Sequence, residues 1–247
     1  MSLWISTRKR ARGPAAATLA VLACALAEAP RADAQPPADS PVPEPDAKTV
    51  AYFRKLESLV AGVSHRVMPA VVAVQSGRLT GSGVVISPEG HVLTVAHAVG
   101  RLDAPVILFF PNGSRAHGKV LEIADGVDAA VVKITTPGRW PHVAVGGEPP
   151  TVGDWCLGLG HTDGYKPGRT PPVRLGRIVQ VKPGVIQSDC ILDTGDSGGP
   201  LFDLTGRVIA IHDAKVGQFF NSLHTPIAVY RARWRQLLDV DGPPPGR

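Results

Sequence analysis

Short apolar runs, broken at close intervals by turn residues, dominate the chain from residue 70 to residue 212. Turns such as Pro88-Glu89-Gly90 contain the residues that favour chain reversal. Many short strands at this spacing are typical of a β-sandwich or of a pair of β-barrels. The predicted strands are 70–74, 83–87, 92–95, 106–110, 119–123, 129–134, 155–159, 174–181, 184–188, 201–202 and 207–212.

Helical patterns flank this region. Apolar residues at three- or four-residue steps predict a helix from residue 47 to about residue 60, and Pro69 then excludes further helix. A last helix is predicted at about 228–238. We therefore expect a folded domain over 47–240, followed by a flexible tail at 241–247.

The N-terminal 34 residues contain the three parts of a secretory signal in order. A basic segment at 8–12 precedes an apolar run of 13 residues at 15–27, and an Ala-x-Ala cleavage site follows at 32–34. The run is shorter than the ~20 residues that span a bilayer, so we expect no stable membrane span in the mature chain. Lipoprotein anchoring at Cys24 is a minor alternative. The sequence therefore predicts a secreted or periplasmic protein.

Composition and charge narrow the function classes. The apolar fraction of 44% and the charged fraction of 19% are ordinary for a soluble globular protein, while 24 Pro and 27 Gly favour a turn-rich β protein. The Pro-rich segment 35–46 reads as a linker. The net charge is +5, but outside the signal 21 basic and 19 acidic residues leave only +2. Nucleic-acid binding is therefore not expected, and no motif implies a metal or cofactor.

The strongest chemical signal is the string Gly195-Asp196-Ser197-Gly198-Gly199-Pro200. A serine nucleophile in acyl transfer needs a tight turn and backbone N–H groups that face the developing oxyanion. Glycines allow the backbone conformations that such a turn requires. We predict that Ser197 is the nucleophile and that the N–H groups of Gly195 and Ser197 form the oxyanion hole. The alternative is a Gly-rich turn with an incidental serine.

A base and an acid precede this serine. His97 follows an apolar strand, and its near-neutral pKa suits proton transfer; a buried structural histidine is the alternative. Asp128 stands directly before an apolar run and is favoured as the carboxylate that orients His97. Asp125 is its rival, and either could instead cap a turn. The order His97, Asp128, Ser197 is that of chymotrypsin and differs from the order in subtilisins and α/β-hydrolases.

These motifs resemble the HtrA/Deg branch of the trypsin-like serine proteases. The resemblance runs from about residue 63 to 215 and implies two six-stranded antiparallel β-barrels with the active site in the cleft between them. It also implies protein or peptide substrates. The strings that carry it are Pro69-Ala70-Val71-Val72, Gly81-Ser82-Gly83-Val84-Val85-Ile86-Ser87, Thr94-Val95-Ala96-His97, Asp128-Ala129-Ala130-Val131-Val132, Ile186-Gln187-Ser188-Asp189 and Gly198-Gly199-Pro200-Leu201-Phe202.

The sequence departs from the family in several places. HtrA proteins usually have Asn where this chain has Asp196, as trypsins do. In trypsins that Asp pairs with a new N-terminus made by zymogen cleavage, but the chain shows no Ile-Val-Gly-Gly-like site. Asp196 therefore needs another partner, or its loop rests in an inactive form. The segment 224–227 also differs from the corresponding Phe-Ala-Ile-Pro segment of the family. HtrA proteins usually carry PDZ domains after the protease, and we do not expect one here.

The substrate-binding wall is expected near Ile191 and Leu192 and along His212-Asp213-Ala214, unless these residues are simply core. The acid that gives trypsin its basic preference would fall at Ile191. We therefore predict a preference for small or medium aliphatic P1 residues. The acidic side chains of Asp193 and Asp213 would complicate this preference.

Cysteine and aromatic residues leave two structural questions open. Cys156 and Cys190 remain after signal removal; a disulfide is possible in an exported protein, but two separately buried thiols are favoured. Tyr52 and Phe53 on the first helix could contact another subunit, but the sequence does not support a homo-oligomer. Packing of this helix on the chain's own barrel is favoured.

The leading hypothesis is an exported serine endopeptidase acting on unfolded or envelope proteins. The alternative is a protease-fold binding module that is latent or inactive. A third hypothesis is an esterase that uses the same triad.

Overall fold

A computed structural model describes residues 46–216 and 221–238. The predicted signal peptide with Cys24, the linker up to residue 45 and the tail 241–247 lie outside the described residues. The strand predictions can be compared directly with the structure.

Six strands close into a first antiparallel barrel, in the order β1-β2-β3-β6-β5-β4. The side chains of β5 alternate between exposed and buried along most of its length, as expected for a strand with one face towards the core. The bounds are β1 Val71–Ser76, β2 Leu79–Val85, β3 His91–Thr94, β4 Pro105–Phe109, β5 Arg115–Ile123 and β6 Ala130–Ile134.

Six further strands form a second closed antiparallel barrel, in the order β10-β11-β12-β9-β8-β7. The fold class that the resemblance implied, two six-stranded antiparallel barrels, is therefore confirmed. The bounds are β7 Trp155–Leu159, β8 Val173–Lys182, β9 Val185–Ser188, β10 Pro200–Asp203, β11 Val208–Val216 and β12 Asn221–Pro226.

The described residues form three α-helices beside the barrels: α1 Ala47–Val67, α2 Ala96–Val99 and α3 Ile227–Leu238. Helix α1 begins where predicted, with the Asp46 side chain accepting a hydrogen bond from Thr49 N at 2.9 Å, but it continues beyond residue 60. Among the described helices, none combines the length and apolarity needed to span a bilayer.

The first helix meets the second barrel through Tyr52, whose hydroxyl accepts a hydrogen bond from Trp155 Nε1 at 3.0 Å. Tyr52 and Phe53 are both more than half exposed. The favoured packing on the chain's own barrel therefore covers only part of these two rings, and the described residues add no support for a homo-oligomer.

The two cysteines within the described residues are free thiols, both buried, but they are not separate. Cys156 Sγ and Cys190 Sγ lie 3.8 Å apart inside the second barrel. Cys156 lies on β7, and Cys190 follows β9.

Candidate active site

A cleft of about 330 Å³ lies where the two barrels meet. Strand β2 of the first barrel contributes Thr80, and helix α2 contributes His97. The segment before β10 contributes a run that includes Ser197. The structure thus brings the predicted base and the predicted nucleophile to one cavity. Its lining residues are Thr80, His97, Leu192, Asp193, Thr194, Gly195, Ser197 and Asp213.

The pair of His97 and Asp128 is held by two hydrogen bonds. His97 Nδ1 bonds to Asp128 Oδ2, and the backbone N–H of His97 donates to Asp128 Oδ1 at 2.9 Å. The rival Asp125 does not share this contact; its carbonyl oxygen accepts a hydrogen bond from Arg233 at 3.1 Å. The hydrogen bond to Asp128 raises the pKa of His97, although burial opposes it. Burial raises the pKa of Asp128, but its hydrogen bonds with His97 outweigh this effect and the net shift is downward.

The hydroxyl of Ser197 donates a hydrogen bond to the backbone oxygen of Asp213 at 3.2 Å. This carbonyl belongs to a bulge in β11. His212 pairs with His224 and Ala214 with Leu223, so Asp213 is the extra residue without a partner in the ladder. In this conformation the hydroxyl is directed to Asp213, not to His97.

A hydrogen bond to the carbonyl oxygen of Thr194 fixes the direction of the next N–H group, that of Gly195. The carbonyl oxygen of Thr194 accepts a hydrogen bond from Asp163 N at 2.7 Å. In a planar trans peptide the N–H of Gly195 points opposite to this carbonyl. Within the described residues, neither the N–H of Gly195 nor that of Ser197 donates to a protein acceptor.

The loop around Ser197 approaches the first barrel closely. Ser82 on β2 donates from its N–H to Ser197 O at 2.8 Å and from its hydroxyl to Gly195 O at 2.7 Å. At Gly198 φ is +87°, and a Cβ atom there would collide with Ser82 O and Thr94 Oγ1. Only glycine fits at this position, because both the backbone conformation and the available space exclude a side chain.

Asp196 turns away from the cleft and is fully buried. Its carboxylate pairs with Arg174 at 2.8 Å and accepts hydrogen bonds from Thr162 Oγ1 and Asp193 N, both at 2.8 Å. Burial raises the pKa of Asp196, and these three partners oppose that shift. The sequence left the partner of Asp196 open. Arg174 and Thr162 carry no signal in the sequence, because each is more than 20 residues away and belongs to an unremarkable segment.

The predicted wall residues occupy different environments. Leu192 and Asp213 line the cleft, whereas Ile191 is not among its lining residues and is 56% exposed. His212 is fully buried, and the side chain of Ala214 lies outside the described residues. Burial and the charge of Asp128 raise the pKa of Asp213.

Two buried histidines lie behind this wall. His212 Nδ1 and His224 Nδ1 are 3.0 Å apart, and His224 Nε2 bonds to Ser188 Oγ at 2.7 Å. Burial lowers the pKa of His224 to about 3 and that of His212 well below its usual value. These side chains are therefore neutral at physiological pH. Among the described residues, no group of three or more His, Cys, Asp and Glu is placed to bind a metal ion.

A third buried histidine gives a testable pH dependence of stability. Burial lowers the pKa of His161 to about 4, while an unfolded histidine titrates near 6.5. Between these values the unfolded chain binds the proton and the folded chain does not, so stability is lost as the pH falls below about 6.5. In the middle of this interval the wild-type protein should lose up to about 1.4 kcal/mol per pH unit more than His161→Gln.

Urea unfolding at pH 7.0, 6.0 and 5.0 measures this difference. His142→Gln, at an exposed position, is the matched control and should keep the wild-type slope. Equal slopes for the wild type and His161→Gln would contradict the assignment of His161 as a neutral buried group.

Comparison with known proteins agrees with the two-barrel fold. A family model, the trypsin-like peptidase domain, matches residues 81–211. A probable periplasmic serine endoprotease DegP-like from Brucella suis is 33% identical over 165 residues, which cover 64% of this chain and 32% of that protein. Serine protease HTRA1A from Danio rerio is 28% identical over 179 residues, covering 64% and 37%. The chain thus spans about a third of the length of these curated relatives.

A solved structure extends the comparison to three dimensions. The crystal structure of the serine endoprotease from Yersinia pestis matches with a TM-score of 0.63 and 26% identity, covering 73% of this chain and 67% of that one. The family match spans more than half of the 247 residues. On this evidence the chain belongs to the trypsin-like peptidase family, with a protease domain of the HtrA type.

Proposed function

We propose that this protein is a serine endopeptidase that cleaves peptide bonds through an acyl-enzyme. The observation that carries the proposal is the cleft in which His97, paired with Asp128, faces the same cavity as Ser197. The backbone N–H groups of Gly195 and Ser197 have no protein acceptor in the described part of the chain. A nucleophile, a base and free donors are the parts that acyl transfer requires.

In this mechanism the Ser197 hydroxyl first leaves the carbonyl oxygen of Asp213 and turns to His97 Nε2. Catalytic hydrogen bonds are often absent in the free enzyme and form with substrate. As Ser197 Oγ attacks the scissile carbonyl carbon, His97 takes its proton and later gives it to the leaving amine. Water then attacks the acyl-enzyme with His97 as the base, which releases the new carboxylate and restores the serine.

Asp128 and the loop donors act on the charges that develop. Asp128 holds the His97 proton on Nδ1, so that Nε2 is the free acceptor, and it stabilises the imidazolium once that forms. The N–H groups of Gly195 and Ser197 bind the oxyanion of the tetrahedral intermediate. Loss of one such donor typically costs about 10²–10³ in kcat.

We also propose that the protein is exported and acts on unfolded or envelope proteins. The predicted signal peptide supports export, and the similar Brucella protein is a probable periplasmic endoprotease, which supports the same location. The buried Leu192 gives the cleft an apolar wall, which supports small or medium aliphatic P1 residues. The carboxylates of Asp193 and Asp213 at the same cleft act against acidic P1 residues.

Covalent labelling tests this function most directly. The purified protein is treated with a fluorophosphonate, and the adduct is located by mass spectrometry. Stoichiometric labelling at Ser197 is expected, and Ser197→Ala and His97→Ala should both lose it. An unlabelled but folded wild-type protein would overturn the proposal and favour a protease-fold binding module. A labelled protein that hydrolyses small esters but no peptide in a library would favour an esterase.

A further inference from the structure

The carboxylate of Asp196 occupies a site built for it inside the second barrel. A Cβ atom at Gly160 would come within 2.7 Å of Asp196 Oδ1, so the missing side chain at Gly160 leaves the space that the carboxylate fills. Three donors surround it at 2.8 Å: Arg174 Nη2, Thr162 Oγ1 and Asp193 N. Of these, Arg174 alone is a charged group.

A buried carboxylate needs such a partner. Transfer of an unpaired charge from water to a protein interior costs several kcal/mol, and removal of one member of a buried ion pair leaves that cost uncompensated. Asp196 is fully buried, and the Arg174 side chain is 17% exposed. Without Arg174, Asp196 must take up a proton or move outwards to water.

Such a movement would change the backbone on both sides of Asp196, because Gly195 and Ser197 are its direct neighbours. The N–H of Asp196 donates to Asp193 O at 3.0 Å, and its carbonyl accepts from Gly199 N at 2.8 Å. Both bonds hold the tight turn that directs the N–H groups at 195 and 197. The position of the carboxylate and the direction of these two N–H groups are therefore coupled.

A second contact ties Arg174 to the neighbouring loop. Arg174 Nη2 also bonds to Thr162 Oγ1 at 2.8 Å, and Thr162 precedes Asp163, whose N–H holds the carbonyl of Thr194. Arg174 itself is fixed on β8, opposite Gly158 of β7. The Arg174 guanidinium thus contacts Asp196 directly and is connected to Thr194 through Thr162 and Asp163.

We infer that Arg174 is the positioning residue of the oxyanion hole: by pairing with buried Asp196, it holds the N–H groups of Gly195 and Ser197 in place. This inference rests on the proposed function for its catalytic meaning. Arg174 also gives Asp196 a positively charged partner from within the same chain. Proteolytic cleavage, which provides the partner of this Asp in trypsins, is then not needed.

The test compares Arg174→Met, Arg174→Lys and the double variant Arg174→Met/Asp196→Asn with the wild type. Arg177→Met is the matched control, because Arg177 lies on the same strand but stacks on Trp155. Two measurements are made well below the melting temperature of every variant. One is the kcat and KM of peptide hydrolysis, and the other is hydrogen exchange of peptides that cover residues 193–199.

Arg174→Met should lower kcat by about 10²–10³, the range for loss of an oxyanion donor, change KM less than threefold and accelerate exchange at 193–199. Arg174→Lys should remain within about tenfold of the wild-type kcat. The double variant should regain at least tenfold over Arg174→Met, because no lone carboxylate remains buried. Arg177→Met should change neither measurement.

Unchanged kcat together with unchanged exchange in Arg174→Met would overturn the inference. So would a lower melting temperature without either change, since that outcome describes a purely structural ion pair. If the wild type hydrolyses no peptide, the proposed function fails, and exchange at 193–199 alone decides the role of Arg174. Accelerated exchange in Arg174→Met, suppressed in Arg174→Lys, would still support it.

Discussion

Ser197→Ala is expected to lower the kcat of peptide hydrolysis by about six orders of magnitude, the loss typical of removing a nucleophilic serine. Thr80 and Thr194 also carry hydroxyls at this cleft, but neither stands in the Gly-Asp-Ser-Gly-Gly turn. The change should leave the fold intact. Ser197 Oγ makes one hydrogen bond in the described structure, to the carbonyl of Asp213 at 3.2 Å, and loss of such a bond costs about 1 kcal/mol.

The measurement is steady-state hydrolysis of a peptide substrate, with thermal unfolding of the same samples. Ser58→Ala is the matched control, since Ser58 is exposed on α1 and its hydroxyl bonds to Arg54 O within the helix. The control should keep the full rate. A Ser197→Ala protein that is folded and retains more than one per cent of the wild-type kcat would exclude Ser197 as the nucleophile.

The strands that sequence predicted best are those with their own apolar pattern. Residues 155–159 were predicted as a strand and form β7 within the same bounds. The strand β12, Asn221–Pro226, was missed because its residues are mostly polar and do not alternate. Its strand conformation comes from tertiary pairing, with β11 on one side and β9 on the other. The pattern of apolar residues therefore predicts a strand whose own side chains are buried, but not a polar strand that forms by pairing with its neighbours.

The site divides in a similar way. His97, Asp128 and Ser197 stand in motifs, and each motif is local in sequence, so a single chain can indicate them. The contacts of Asp196 with Arg174 and of Ser197 with Asp213 depend on which strands pair and where β11 bulges. Register and bulges are set by the assembled barrel. No periodicity or spacing along the chain encodes them.

Asp128→Asn is expected to lower kcat by about 10⁴ while leaving the geometry of the cleft in place. The reason lies in the two hydrogen bonds that join Asp128 to His97. Its Oδ1 accepts the backbone N–H of His97 at 2.9 Å, while Oδ2 faces Nδ1. An asparagine keeps the first bond only with its oxygen at the Oδ1 position, which places its NH₂ group against Nδ1. Nδ1 must then be the acceptor, so the proton moves to Nε2 and the imidazole can no longer take the serine proton.

The pH profile separates this explanation from simple misfolding. In the wild type, Asp128 raises the pKa of His97, and kcat/KM falls as the pH drops through that value because the imidazolium cannot act as a base. Without the Asp128 charge, the pKa of His97 should fall, so the acid limb of Asp128→Asn should lie at lower pH than that of the wild type. Asp125→Asn, three residues earlier, should keep both the rate and the limb. Two outcomes would show that Asp128 does not control the protonation of His97. One is an acid limb of Asp128→Asn at the wild-type pH, and the other is a rate within tenfold of the wild type. The two bonds that join this pair would then serve only to attach the loop before β6 to helix α2.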